Sequence, residues 1–390
     1  MTVSKRIQSL TPGGDDGWGV FYRARQMATD GVPVTQLTIG EHDIRTDPII
    51  LKAMHKAAKA GHTGYAAVPG THVLRDRVAA RIQAQTGVPT TRENVVITPG
   101  GQAGLFAAHM ATLDAGQTGL ICDPYYATYP GTVRGAGGHV RMVPCHPHHN
   151  FEPVRDNLEQ AAPGAKTLLI NTPNNPTGVV YSRETVETIC DVAQAHSLWV
   201  ISDEVYDSQV WQGTHISPRQ IPYMERHTLV VGSMSKSHAM TGSRVGWVCG
   251  PAEVIEHLIN LSTHTTYGVP GYIQDAAVFA FDQGQGFEAQ IAAPFARRRQ
   301  IAMDLLATQN KVQAVPPQGA MYMMLDIRAT GVSGTEFANA LLDVHHIAVM
   351  PGESFGQAAA GHVRVAMTVD DDAFIQAFET LLNFAAEGRF

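Results

Sequence analysis

Lysine is scarce in this chain: seven residues among 390, only one of them, Lys236, in the stretch VVGSMSKSHAMTGSRVGWVCG. Charged residues make up 16%, the formal net charge is -7, and no run of Lys or Arg occurs. That balance leaves no electrostatic footprint for nucleic acid or an anionic bilayer, although small anionic ligands stay possible. Cysteine is equally sparse. Cys122, Cys145, Cys190 and Cys249 are scattered beside apolar residues without CxxC spacing, so they read as core thiols, not a disulfide framework or metal site. His146, His148 and His149 lie in a proline-containing loop with no coordinating partners at ligand spacing, and no metal is expected. Eighteen consecutive apolar residues never occur, and Lys5 and Arg6 are not followed by an apolar segment. Neither a membrane span nor an export leader is expected, which gives a cytoplasmic protein by default. No fixed-period repeat is present.

What the chain has is enough hydrophobic residue, 44% over 390 positions, to bury two or three domains' worth of core. Short apolar runs alternate with helical patterns, as in a parallel sheet with crossover helices. Asp47-Pro48 opens a helix that Gly61 ends, and Leu74, Val78 and Ile82 mark one face of the next. Candidate strands follow at 94–97, 119–122, 140–143, 167–170, 198–202, 229–231 and 245–249, most of them short and rich in branched apolar residues, as strands covered on both faces should be. After residue 289 the rhythm changes: RRRQIAMDLLATQN is helical, GAMYMMLDI and VRVAMTV alternate as strands, and a last helix carries Phe374, Phe378 and Leu382. The expectation is an α/β protein: an N-terminal segment (1–45) packing with the small domain, a large domain (46–288) with a mostly parallel central sheet sandwiched by helices, and a smaller α+β domain (289–390).

Several strands end in polar or glycine-rich sequence. Gly100-Gly101 leads into a helix whose N-terminus could cradle a phosphate, or could be a tight turn. Tyr126 could lie over a flat ring or be a core aromatic. The loop Asn174-Asn175-Pro176-Thr177-Gly178 after Asn171 could be structural alone. Asp203 follows a strongly apolar strand, so its carboxylate sits at the mouth of the sheet and needs a hydrogen-bonded partner. Tyr206 points back to the same region. Lys236 follows a strand and a Gly-Ser exit, with Arg244 before the next strand; a salt bridge is one reading, an amine depressed toward neutrality that attacks a carbonyl the other. Gly100, Tyr126, Asn175, Asp203 and Lys236 each fall just after a strand, and ligands of open α/β sheets bind beyond those carboxyl ends. Phosphate donors, a carboxylate, hydroxyl and amide donors, a flat ring and an amine together match the groups of pyridoxal 5'-phosphate.

NNPTG, SDEVY and SMSKSHAMTGSRVG, with LTIGEHDI, GYAAVPGTHVLRDRVA, TPGGQAGLF, PQGAMY, PGESFG and VRVAM, resemble the fold type I pyridoxal-phosphate enzymes, specifically class I and II aminotransferases of the aspartate aminotransferase branch. The resemblance spans nearly the whole chain. It implies Lys236 as the lysine that carries the cofactor, Asp203 on the ring nitrogen, Asn175 and Tyr206 near the ring oxygen, and Tyr126 as the stacking aromatic. Gly101, Gln102, Ser233 and Arg244 surround the phosphate; Arg364 takes the substrate α-carboxylate, helped by the Gly40 backbone and Asn175. Tyr65 reaches the phosphate of the neighbouring subunit, with Tyr267 near the same contact, so a homodimer with shared active sites is expected. The activity implied is ping-pong transfer of an α-amino group from an amino acid to a 2-oxo acid.

The chain departs from the family's pattern at His42, Ile44, Ser243 and Met321, positions expected to shape the substrate pocket or its lid, and at Gln102, where lysine is usual. No Lys or Arg occurs between Pro251 and Pro294; only Arg23 and Arg25 offer an extra cation for a side-chain carboxylate. A neutral donor (aliphatic, sulfur-containing or aromatic) is therefore expected. The alternatives are an aspartate aminotransferase, a C-S β-lyase acting on cysteine conjugates and, more remotely, a pyridoxal-phosphate-binding transcription regulator.

Overall fold

A computed structural model describes residues 1–14, 17–388 and 390. Strand β1 (Thr35–Gln36) comes first. The seven predicted strands then form within two residues of their expected ends: β2 (Val95–Thr98), β3 (Thr118–Asp123), β4 (His139–Pro144), β5 (Ala165–Asn171), β6 (Trp199–Asp203), β7 (Thr228–Ser233) and β8 (Gly246–Cys249). They make one sheet in the order β2-β8-β7-β6-β5-β3-β4, parallel except for β8, which runs antiparallel to β2 and β7.

Alternate residues of the inner strands serve opposite layers, as a two-residue side-chain period requires. Leu120, Leu168 and Val200 pack with Leu158, Val186 and Ile189 on one face, while Ile121, Leu169 and Ile201 pack with Leu105, Val133 and Leu258 on the other. Both faces are thereby covered by helices, which is why these strands read as unbroken apolar runs. β4 differs: it lies at the sheet edge, and its His139 and Arg141 are exposed. All four cysteines are free and buried.

The helix at Pro48–Lys59 starts where expected because the Asp47 side chain accepts from Ile49 N–H and Pro48 sits in the first turn. The helix His72–Thr86 buries Leu74, Val78 and Ile82.

A second sheet joins β9 (Gln313–Ala314), β10 (Tyr322–Asp326), β12 (Met350–Pro351) and β13 (His362–Ala366) in the antiparallel order β12-β13-β10-β9, while β11 (Ile347–Ala348) pairs parallel with β1. Its core gathers Phe337, Leu341, Phe374, Phe378 and Leu382, together with Val20, Ala24 and Leu37 from the start of the chain. The helix Gln285–Leu306 runs through residue 289 without a break and also packs here. No described helix is long and apolar enough to cross a membrane. The segments that follow β5, β6 and β7 meet β10, β13 and the segment after β1, through Asn175–Arg364, Tyr206–Tyr322 and Lys236–Gly40, and the polar residues collect in that cleft.

Candidate active site

Asp203 ends β6 and is 4% exposed. Tyr129 donates its hydroxyl to Asp203 Oδ2 at 2.7 Å, and the Val205 N–H reaches Oδ1 at 3.3 Å. Burial still dominates and pushes the carboxyl up to about 6, against the Tyr129 bond that favours its charged form. The neighbouring strand supplies Asn171, which donates to the Asp203 carbonyl at 2.9 Å and accepts from the Asn175 N–H at 2.7 Å. That pair of bonds explains why the loop after β5 turns back over the sheet end and delivers the Asn175 side chain.

Lys236 lies in the short helix Met234–Ser237, which follows β7 and whose first turn is capped by Ser233 Oγ accepting from Ser235 N–H. Its amine donates to the Gly40 carbonyl on the segment after β1. Burial lowers the amine to about 8; Arg364 and Arg244 push the same way, while Glu41 and Asp203 oppose. Arg364, on β13, donates through Nη1 to Asn175 Oδ1 at 2.8 Å and through Nη2 to the Thr38 carbonyl. Tyr206 and Tyr322 share a hydroxyl contact of 3.0 Å, and burial raises both phenols above their ordinary range.

The helix Gly101–Thr112 starts at the same place with no side-chain cap, leaving its first N–H groups turned to the cleft. Gly100 before it has φ 81, a backbone that favours glycine, and its missing side chain leaves room for the Arg244 guanidinium, whose Nη2 a Cβ would approach to 2.2 Å. Gln102 accepts from Thr128 Oγ1 at 2.8 Å.

A cavity of about 280 Å³ is lined by Gly40, Gly101, Gln102, Tyr126, Asn175, Asp203, Tyr206, Ser233, Lys236, Arg244 and Arg364, every predicted cofactor- and substrate-binding residue except Tyr65. Tyr65 is not among them. It is 92% exposed and packs edge-on against Tyr267, ring centroids 5.2 Å apart, away from the cavity lining. Arg23 pairs with Asp343, and Arg25 lies over Phe21; neither lines the cavity. Of the positions expected to shape the pocket or its lid, His42, Ile44, Ser243 and Met321, none is among the residues lining this cavity. His42 is buried edge-on against Phe295, and Met321 sits in the core of the second sheet.

Trp18, Tyr129, Tyr322 and Glu41 line the cavity without having been singled out from sequence. For Tyr129 the signal was present, because it is the last tyrosine of DPYYATY and Asp203 needed a buried donor.

Donors for a phosphate at one end, a buried carboxylate at the other, a ring wall at Tyr126 and a partly neutral amine between them fit pyridoxal phosphate, both in size and in the chemistry of each group. Fold and cavity thus define an enzyme of the pyridoxal-phosphate kind. Comparison with known proteins agrees. The family model for aminotransferase class I and II matches residues 32–381. The arginine–pyruvate transaminase AruH of Pseudomonas aeruginosa is 36% identical over 99% of both chains, and the aspartate/prephenate aminotransferase of Thermus thermophilus 33% over 97% of both. Among solved structures, Thermus thermophilus aspartate aminotransferase with maleate superposes with a TM-score of 0.92 at 32% identity, covering 98% of this chain and all of that one. The chain belongs to the class I and II aminotransferases, and it is a pyridoxal-phosphate-dependent aminotransferase acting on amino acids and 2-oxo acids.

Proposed function

We propose that the residues around the cavity divide the work of two half-reactions, and that the amino donor is a neutral amino acid. Bound pyridoxal phosphate supplies an electron sink that makes the donor's α-hydrogen acidic. Lys236 would anchor it, and its amine, lowered to about 8, would be able to hold or release a proton beside the substrate α-carbon at neutral pH. Asp203 would face the ring nitrogen and favour its protonated form, Asn175 and Tyr206 would donate to the ring oxygen, Tyr126 would stack on the ring, and Gly101, Gln102, Ser233 and Arg244 would hold the phosphate. Arg364 presents its fork to the α-carboxylate, with Asn175 and the Gly40 backbone beside it.

One observation carries the donor reading. Lys236, Arg244 and Arg364 are the cavity's cations among the described residues, and each already has a role, while Trp18, Ile39 and Tyr322 offer apolar wall. A dicarboxylate would leave its second charge without a partner. A second reading, with arginine as donor and pyruvate as acceptor, has two supports: Glu41 lines the same cavity, and AruH carries that activity in its name.

Half-reaction screening tests both. The holoenzyme is mixed with single amino acids and conversion to the pyridoxamine form is followed by absorbance. Fast conversion by alanine, methionine or phenylalanine is expected. Conversion by aspartate or glutamate alone overturns the neutral reading, and conversion by arginine alone establishes the second. Pyruvate released from cysteine conjugates without any acceptor would reveal β-elimination.

The division at 45/46 and 288/289 belongs to the same proposal, supported by the separation of the seven-stranded sheet from the two smaller sheets. So do a homodimer in which Tyr65 of the partner subunit completes each phosphate site, and a cytoplasmic location, testable by fractionation.

A further inference from the structure

PGESFG and the aspartate that ends β3 take no part in the roles above, yet they meet. Asp123 is 4% exposed. Its carboxylate is occupied by the loop after β12: Oδ2 accepts from the Gln357 N–H at 3.0 Å and Oδ1 from the Ala358 N–H at 3.2 Å. Beside it the Tyr125 N–H donates to the Phe355 carbonyl at 2.9 Å. Glycine at 356 permits this approach, since φ is 116 and a Cβ would stand 2.0 Å from Asp123 Oδ1. The other side of the loop is tied too. Glu353 Oε1 accepts from the N–H groups of Gly334 and Gly361, at 3.0 and 3.1 Å, and Ser354 donates to the Gly17 carbonyl at 2.6 Å.

These ties hold Phe355. Its buried ring lies 4.3 Å from the Arg364 guanidinium carbon, with the Tyr322 ring at 4.5 Å. Among the described residues, Arg364 has no carboxylate partner and its Nε has no hydrogen-bond partner. Its fork is therefore aimed by two neutral acceptors and two rings. Any shift of Phe355 turns the fork, and misaligned forks lose bidentate pairing.

We propose that Asp123 is a positioning residue for Arg364: from the seven-stranded sheet it pins the Phe355 loop against the guanidinium and so sets the affinity for the substrate α-carboxylate. This rests on the reading that Arg364 receives that carboxylate.

The test uses the holoenzyme and 2-aminoisobutyrate. This probe carries the α-carboxylate and amine but no α-hydrogen, so its binding, followed by absorbance, is separate from proton transfer and from the donor's side-chain class. Asp123→Asn replaces one acceptor oxygen by an N–H facing a backbone N–H. It is expected to raise the probe's Kd by about tenfold, the loss typical of one charge-assisted bond. Cofactor absorbance stays unchanged, and hydrogen exchange in 355–358 speeds up. A merely structural cap would lower Tm and leave the probe's Kd alone, and a Kd within about twofold of the parent overturns the proposal. Arg364→Lys is the control: if it too leaves Kd unchanged, the carboxylate reading of Arg364 falls, whereas a weakened Arg364→Lys beside an unchanged Asp123→Asn removes only the role of Asp123. Should Asp123→Asn not fold, Phe355→Leu keeps every loop bond and must weaken the probe similarly; an unchanged Kd there overturns the proposal as well.

Discussion

At the scale of single residues, burial shifts two groups with proposed roles, Lys236 and Asp203, and each gives a prediction. Lys236 is lowered from 10.5 to about 8 mainly by burial. Lowering the pKa of an amine enlarges its neutral fraction at any pH below that value. Covalent capture of added pyridoxal phosphate by the cofactor-free protein should thus speed up by about tenfold per pH unit below 8 and level off above it. Stopped-flow absorbance reads this directly, and a midpoint near that of an ordinary lysine would remove Lys236 from the role. Asp203 has the opposite problem, because burial favours its neutral form and the Tyr129 hydroxyl works against that. Tyr129→Phe keeps the ring and removes the donor. A bond to a charged group contributes about 1.5–3 kcal/mol, so kcat/KM should fall by about 10- to 100-fold with little change in fold. Unchanged kcat/KM would mean that Asp203 does not depend on this bond.

Among elements, the decisive junction is the turn from β2 into the helix Gly101–Thr112, where an uncapped helix start, Gly100 at positive φ and the Arg244 guanidinium converge. Gly100→Ala drives a methyl into Arg244 and forces a left-handed residue other than glycine. The expected result is a cofactor Kd raised by at least about tenfold, with modest loss of Tm, as measured by fluorescence titration and thermal melting. Retained affinity would show that neither Arg244 nor this helix start matters to the phosphate. The elements themselves were legible because their signals are local: branched apolar runs for strands covered on both faces, Asp47-Pro48 for a helix start, glycine and asparagine for the loops at strand ends. β4, with His139 and Arg141 alternating with Val140 and Met142, has the pattern of a half-exposed strand, but the order of strands that puts it at the edge is a long-range property. Part of the site was legible for the same reason: Gly101, Asn175, Asp203 and Lys236 stand at or shortly after the end of a strand, whereas Arg364 lies within β13 and its role came only from the resemblance. Long-range partners were not. Tyr322 meets Tyr206 from 116 residues away, Trp18 arrives on a segment packed with the second sheet, and His42 and Met321 occupy motif positions while pointing into cores.

For the whole molecule the question is how Tyr65, 92% exposed and stacked edge-on with a half-exposed Tyr267, could serve a phosphate site it does not line. Two large apolar rings standing together in water cost free energy that a partner surface would recover. Closed two-fold pairing also makes any exchange reciprocal, each copy giving Tyr65 and receiving it. The proposed dimer then predicts complementation. Lys236→Ala is inactive in both sites, and Tyr65→Ala binds its cofactor weakly in both. When the two variants are unfolded together and refolded, a mixed dimer has one site with both defects and one with neither, because the intact Lys236 of one copy faces the intact Tyr65 of the other. Random pairing makes about half the dimers mixed, so about a quarter of all sites should regain parental kcat and cofactor affinity. If Tyr65 instead acts within its own chain, or not at all, the mixed dimer contains no repaired site, and activity stays at the sum of the two variants measured separately.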